Sequence, residues 1–309
     1  MSTVVFGAGA VGTFFGGLLA RAGQDVHFIA RGTQLEALRS RGIRIESTLL
    51  GTLEVAPVAT AGHASEAAAH LGRPADLVLV CVKAHQTPAV IEDLAPLVGE
   101  DTAIVTLQNG VESDEPLASR FGDARVYPGV VYVGATVERP GVVTHVAAGT
   151  IALGMRRGGS TERLSRVRDE LSASGQPVRI STDIRRDRWR KLLWNAGFNT
   201  VSAITGTLPR ELLALPESRA LLRGLMLEVV AVAQAQGIGL QEQDADDQIA
   251  WTEKAEGIRT STMVDRQRGR EMEIDALIGV VVRRGRELGV PTPCSDTIHA
   301  LLKAAEQRA

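Results

Sequence analysis

The 309-residue chain is poor in several things, and each shortage excludes a class of protein. It has two cysteines, Cys81 and Cys294, far apart in sequence. They form no metal-type or redox-type pair, so neither a disulfide framework nor a cysteine metal site is expected, no metal is assigned, and a reduced, cytoplasmic setting is the simplest expectation. Aromatic residues make up 4% of the chain, and the net charge is −2. With so little stacking surface and no positive field, nucleic acid is not an expected partner. Arginines cluster between Arg156 and Arg190 and again from Arg266 to Arg286; they read as solvated helix faces. No apolar run reaches membrane-spanning length, so no membrane partner is expected either. Val4 to Ala20 is uncharged and ends near Ala-Arg-Ala, as an export leader does. No basic segment precedes it, however, and its glycines suit a turn and a closely packed helix better.

What the chain does have is glycine (32 residues) and an ordinary apolar fraction of 44%, at a length sufficient for two domains. Thr3–Phe6, Asp25–Ala30, Asp76–Val82 and Thr102–Leu107 read as strands, the last two as continuous apolar runs typical of a sheet buried on both faces. Helical patterns run from the first glycine turn to about Ala22 and from Thr33 to Ser40. Alternation of this kind predicts a doubly wound, Rossmann-type parallel sheet. Tyr127 to Gly154 reads as hairpins on the sheet edge. After Ser181 the pattern becomes helical: Asp183–Ile204, Pro216–Gln236, Asp265–Leu288 and Thr297–Glu306. The expected fold class is therefore α/β, with a dinucleotide-binding domain over 1–181 and an all-α domain over 182–309.

Val-Val-Phe-Gly-Ala-Gly-Ala-Val-Gly, residues 4–12, places Gly7, Gly9 and Gly12 in the G-x-G-x-x-G spacing between a strand and a helix. Gly7 permits the tight turn, Gly9 lets the backbone approach a pyrophosphate, and Gly12 lets the helix pack on the sheet. Ala8, Ala10 and Val11 complete this candidate cofactor turn, whose helix N-terminus suits phosphate. At the end of the second strand a NAD site usually carries an acid for the ribose hydroxyl. Here Ala30-Arg31 stands instead, and a guanidinium matches a 2′-phosphate, which favours NADP. Lys83 and Gln86 follow the third apolar strand, and Asn109-Gly110 the next, where ligands of open α/β sheets bind.

In Arg-Trp-Arg-Lys-Leu-Leu-Trp-Asn-Ala-Gly-Phe-Asn-Thr, residues 188–200, Lys191, Asn195 and Asn199 recur every four positions. On an α-helix each such step turns about 40°, so the three share one stripe. The stripe is either a ligand-binding face or a polar seam satisfied by backbone groups.

Taken together, GAGAVG, Arg31, CVKAHQT, LQNG, PGVVTH, the 188–200 segment and TSTMVDRQRGREMEID resemble the ketopantoate reductase (2-dehydropantoate 2-reductase) family almost end to end. The resemblance implies a Rossmann half and a helical half, and NADPH-dependent reduction of a small 2-oxo acid, ketopantoate, in pantothenate and coenzyme A biosynthesis. It implies Lys191 as the catalytic lysine and Glu273 as the glutamate that orients lysine and substrate. Asn109, Asn195 and Asn199 become substrate-side carboxamides, Asn109 also lying on the cofactor side. Arg31, Lys83 and Gln86 become cofactor-side residues. Ser261 matches the serine that contacts the substrate carboxylate; a one-residue gap would move that role to Thr262. After His145 the chain reads Ala147-Ala148-Gly149, where relatives usually show another glycine. The alternatives are a same-fold reductase of another 2-oxo acid and a catalytically silent NADP-binding regulator. Monomer and homodimer both remain open.

Chemically, ketone reduction needs a hydride donor and a proton donor. A buried lysine ammonium can supply the proton, because burial lowers its pKa toward neutrality. A nearby ionised Glu273 would oppose that shift.

Overall fold

A computed structural model describes residues 1–307. The chain divides into two compact units: Met1–Gln108 with Glu112–Ile184, and Asn109–Val111 with Arg185–Ala309.

The first unit is built on a ten-stranded sheet. Its strands are β1 (Ser2–Phe6), β2 (Asp25–Ile29), β3 (Ile43–Ser47), β4 (Gly51–Val55), β5 (Ala59–Ala61), β6 (Leu77–Val80), β7 (Ala103–Thr106), β8 (Val126–Arg139), β9 (Val142–Leu153) and β10 (Val178–Ile180). Their order is β4-β3-β9-β8-β7-β6-β1-β2-β5, with β10 beside β9. The five strands β5, β2, β1, β6 and β7 run parallel, as the apolar runs imply, and β8 joins β7 in parallel. Val78, Val80 and Ile104 face one apolar cluster of the sheet while Leu77, Leu79 and Val105 face another. Both faces of these strands are thus buried, and polar alternation is absent from them for that reason.

Two expectations for this unit are corrected. Tyr127–Gly154 forms one long antiparallel hairpin, β8 and β9, reversed at Pro140-Gly141, where Gly141 has φ +81°. It is not at the edge: β3 pairs in parallel with β9, Arg44 opposite Val142, and β4 forms the outer strand. The hairpin's strand β9 bulges where Ala148 has φ +55°, the single positive φ outside glycine among the described residues. An L side chain in this region carries steric strain.

The second unit packs around helix Pro216–Ala235, whose Leu222, Leu225, Met226, Val229 and Val232 are fully buried in a cluster shared with Leu193, Ala196, Phe198, Leu277 and Ile278. The expected helix 183–204 runs from Ile184 to Thr205 but contains a turn of π-helix, Asn195–Asn199. The wider turn brings Gly197 against Met226, whose methyl would lie 3.0 Å from any added Cβ. Thr200 Oγ1 donates to the carbonyls of Ala196 (2.5 Å) and Gly197 (3.1 Å), supplying a partner where the regular backbone ladder shifts.

The expected single helix 265–288 is two helices. Ser261–Gln267 ends in a Schellman closure: Arg270 N–H donates to Asp265 O at 2.8 Å and Gly269 N–H to Arg266 O at 3.1 Å, with Gly269 at φ +61°. The chain turns helical again at Ile274, passes through a π-turn over Asp275–Gly279 and continues to Leu288. Glu273 thereby stands at the start of a helix, its carbonyl accepting from Leu277 N–H at 3.1 Å. The closing helix, Pro293–Glu306, begins earlier than its pattern implied. No helix among the described residues is long and apolar enough to cross a membrane.

Candidate functional site

In the first unit, each glycine of the turn after β1 meets a different constraint. Gly7 has φ +106°, and a Cβ there would lie 2.7 Å from Val82 N. A Cβ on Gly12 would lie 2.2 Å from Gly7 O and 2.9 Å from Val5 Cγ1. Gly9 differs from both. Its φ is −76°, open to any residue, and a Cβ would meet nothing within 4 Å. Neither backbone strain nor protein packing explains glycine at this position. The open space lies at the N-terminus of helix Ala10–Arg21, where unpaired N–H groups and the helix dipole favour an anion. A dinucleotide pyrophosphate fits this cradle.

The turn is held by side chains that sequence reasoning missed. Thr13 Oγ1 donates to Ala8 O at 3.0 Å. Gln34 Nε2 donates to Ala8 O at 3.1 Å and to Thr13 Oγ1 at 3.2 Å, while its Oε1 accepts from Gly141 N–H at 2.9 Å. Polar residues on the turn-facing sides of the two helices were the available signal. Arg31 begins helix Gly32–Arg41, and its side chain is 71% exposed, with Nη2 3.9 Å from Asp93 Oδ2. A surface pair this loose contributes little, so the guanidinium is available to a phosphate. Lys83 and Gln86 lie together in the turn after β6: Lys83 N–H donates to Gln86 Oε1 at 3.3 Å and Gln86 N–H to Lys83 O at 2.9 Å. The Gln86 carbonyl is therefore already engaged in shaping the turn.

In the second unit, Asn109 links two ionisable side chains. Lys191 Nζ donates to Asn109 Oδ1 at 3.0 Å, and Asn109 Nδ2 donates to Glu273 Oε2 at 3.0 Å. Lysine can only donate and a carboxylate only accept, so the amide orientation follows from its partners. The Asn109 loop is pinned by Gly110: its φ is +86°, its carbonyl accepts from Arg188 Nε at 3.3 Å, and a Cβ would lie 2.9 Å from Ala276 O. Burial lowers the Lys191 pKa to about 8, against the opposing pull of the Glu273 carboxylate and with help from the Arg188 cation. The ammonium is thus brought near the range where it can give up a proton in neutral water.

The two other members of the stripe lie in the π-turn and are buried. Asn199 Nδ2 donates to Ser261 Oγ at 3.3 Å, while Asn199 Oδ1 is buried without a partner. Asn195 makes no side-chain hydrogen bond among the described residues. A buried amide oxygen without a partner, as at Asn199, costs free energy, which fits a binding face better than a satisfied seam. Ser261 is exposed and Thr262 buried, at 2%. Thr260 caps this short helix by accepting from Met263 N–H at 3.3 Å. Among the described residues no cluster of His, Cys, Asp and Glu has the make-up of a metal site.

A dinucleotide-binding α/β unit joined to a helical unit presenting a low-pKa lysine among carboxamides is the build of an oxidoreductase. Comparison with known proteins identifies the family: Ketopantoate reductase PanE/ApbA matches residues 3–158, and its C-terminal counterpart matches residues 183–306. The chain belongs to the ketopantoate reductase PanE/ApbA family. It is 34% identical to 2-dehydropantoate 2-reductase of Mesorhizobium japonicum over 98% of this chain and 97% of that one. The crystal structure of 2-dehydropantoate 2-reductase from Geobacter metallireducens is similar at a TM-score of 0.93 and 34% identity, covering 99% of this chain and 100% of that one. A structure of D-mandelate dehydrogenase with NADH and anilino(oxo)acetate is also similar, at a TM-score of 0.88 and 25% identity, covering 100% and 99%.

Proposed function

We propose that this protein reduces ketopantoate to pantoate with NADPH, a step of pantothenate biosynthesis, in the cytoplasm. Residues 1–181 hold the cofactor, and 182–309 together with Asn109 carry the substrate-side groups. The observation that carries the reading is the Lys191–Asn109–Glu273 chain with its depressed lysine pKa.

When bound, NADPH supplies a hydride to the substrate's keto carbon. Lys191 holds its ammonium on the keto oxygen, stabilises charge as it develops there and transfers a proton, leaving a 2-hydroxy acid. Asn109 keeps Lys191 in register and passes the influence of Glu273 to it. Asn195, Asn199 and Ser261 grip hydroxyl and carboxylate groups of the substrate. A substrate lacking those groups leaves buried amides unpaired and is rejected. On the cofactor side Gly7 to Gly12 would cradle the pyrophosphate, Arg31 would supply a cation for the 2′-phosphate, and Lys83 and Gln86 would stand beside the bound cofactor.

A second reading has one specific support: the likeness to D-mandelate dehydrogenase, whose name implies an aromatic substrate. Steady-state rates with ketopantoate, ketoisovalerate and phenylglyoxylate, each with NADPH and NADH, separate the two. A kcat/KM highest for ketopantoate with NADPH supports the proposal; a preference for phenylglyoxylate selects the second reading. Tight NADPH binding with no turnover on any of them would favour a silent regulator.

Arg31→Ala tests the cofactor choice. Loss of a charge-assisted contact worth about 1.5–3 kcal/mol raises KM for NADPH about tenfold to a hundredfold and leaves KM for NADH nearly unchanged. Equal changes for both cofactors would remove Arg31 from the 2′-phosphate.

A further inference from the structure

Gln108, next to Asn109 in the chain, is buried, as are Thr87, Thr106 and Ser113 around it. Its Oε1 accepts from Thr106 Oγ1 at 2.9 Å. Its Nε2 donates to Val82 O at 2.9 Å and to Thr87 Oγ1 at 2.7 Å. A backbone carbonyl only accepts, so the amide nitrogen must face Val82 and the orientation has no alternative. The one hydroxyl proton of Thr106 goes to Gln108, so Ser113 Oγ donates to Thr106 across their 3.2 Å contact. Both amide protons and the amide oxygen of Gln108 are therefore engaged.

The two acceptors have a particular placement. Val82 precedes Lys83 and Thr87 follows Gln86, so one NH2 group ties together both ends of the Lys83–Gln86 turn and anchors them beyond the end of β7. Within the turn, the Lys83–Gln86 hydrogen bonds close the loop on itself. No apolar side chain can replace two converging N–H donors, and a carboxylate has none.

We propose that Gln108 is a positioning residue for cofactor binding: its carboxamide staples the Lys83–Gln86 turn and so sets where Lys83 meets NADPH. This rests on the assignment of Lys83 to the cofactor side. Gln108 touches neither cofactor nor substrate in this role; it acts through the turn.

The test is NADPH titration of the full chain by fluorescence, in a double-mutant cycle. Gln108→Leu weakens NADPH binding about tenfold, because the turn loses two buried hydrogen bonds. Lys83→Ala weakens it as well, and the double variant binds no more weakly than Lys83→Ala by more than about twofold. Full additivity, or an unchanged Kd in folded Gln108→Leu beside a weakened Lys83→Ala, overturns the proposal alone. An unchanged Kd in Lys83→Ala overturns the assignment of Lys83 and the proposal with it.

Gln108→Glu provides a second readout should the leucine variant fail to fold. The ionised carboxylate cannot donate to Val82 O, whereas the protonated acid can. Its immediate neighbours Thr87, Thr106 and Ser113 do not titrate in this range. The nearest charged or titratable groups along the chain are Lys83 and His85 on the turn, and Glu112 and Asp114 on either side of Ser113, Asp114 being held by Arg156 at 2.6 Å. NADPH affinity of this variant therefore recovers, relative to wild type, as pH falls from about 8 to about 6. A defect of constant size across that range marks a merely structural residue and overturns the proposal.

Discussion

Lys191→Met lowers NADPH-driven turnover of ketopantoate by about 10²–10⁴-fold, the range that a positioned general acid supplies. Methionine keeps the aliphatic stem and removes the charge, so the packing of the apolar residues around position 191 survives. The variant also answers whether a loss of rate is a loss of fold. With a native pKa near 8 against an ordinary 10.5, the unfolded chain holds this proton more tightly than the folded one. Wild-type stability therefore carries a penalty below about pH 8 that is relieved as pH rises from about 8 to about 10.5. Removing the lysine removes the penalty, so Lys191→Met melts no lower than wild type at neutral pH and loses that part of the alkaline rise. A folded variant that retains kcat within about threefold of wild type would take Lys191 out of the proton-transfer role.

The second large effect is expected at Gly9. Gly9→Val leaves the protein folded, because a Cβ at this position meets no protein atom within 4 Å. It nevertheless intrudes on the space assigned to the pyrophosphate and holds it off the helix N-terminus. Losing one such charge-assisted bond, at about 1.5–3 kcal/mol, weakens NADPH binding about tenfold to a hundredfold. Gly12→Ala is the contrasting control. Its Cβ would sit 2.2 Å from Gly7 O, so both melting temperature and NADPH binding fall. Calorimetry and NADPH titration on the same samples check the pair. A Gly9→Val protein of wild-type affinity would remove the phosphate from this turn; one that binds poorly because it is unfolded would assign Gly9 to packing.

The parts of this molecule legible in its residues are those determined locally. The glycine turn could be read because its spacing is local: Gly7 and Gly12 answer to atoms of the turn and the strands beside it, and Gly9 to open space at a helix start. The runs at 77–80 and 103–106 could be read because strands covered on both faces are apolar throughout. Pro216–Ala235 could be read because it is long and continuously periodic. Strand β3 escaped although Ile43-Arg44-Ile45 alternates in burial as it does in polarity, since five residues of alternation are a weak signal. The break at Gly269 had a local signal, a glycine within a helical pattern, but apolar periodicity on either side masked it.

The site divides in the same way. Its residue types and stripe were readable, and the roles assigned to them came from family resemblance. The π-turn at Asn195–Asn199 is a shift of hydrogen-bond register that no residue type announces. The 109–111 loop packs with the helical unit although it directly follows a strand of the sheet unit, a placement that sequence order conceals. Asn109 as the bridge between Lys191 and Glu273, and Gln108 as the staple beside it, both depend on contacts between distant segments.

The most direct test of the account is the pH dependence of kcat/KM for ketopantoate reduction, followed by NADPH absorbance in the wild-type protein. The account requires a measurable rate that is level near pH 7 and falls about tenfold per pH unit above about pH 8, as the free enzyme loses the Lys191 proton. A rate that stays level to about pH 10, or that rises across the same range, would contradict the assignment of Lys191 as the proton donor.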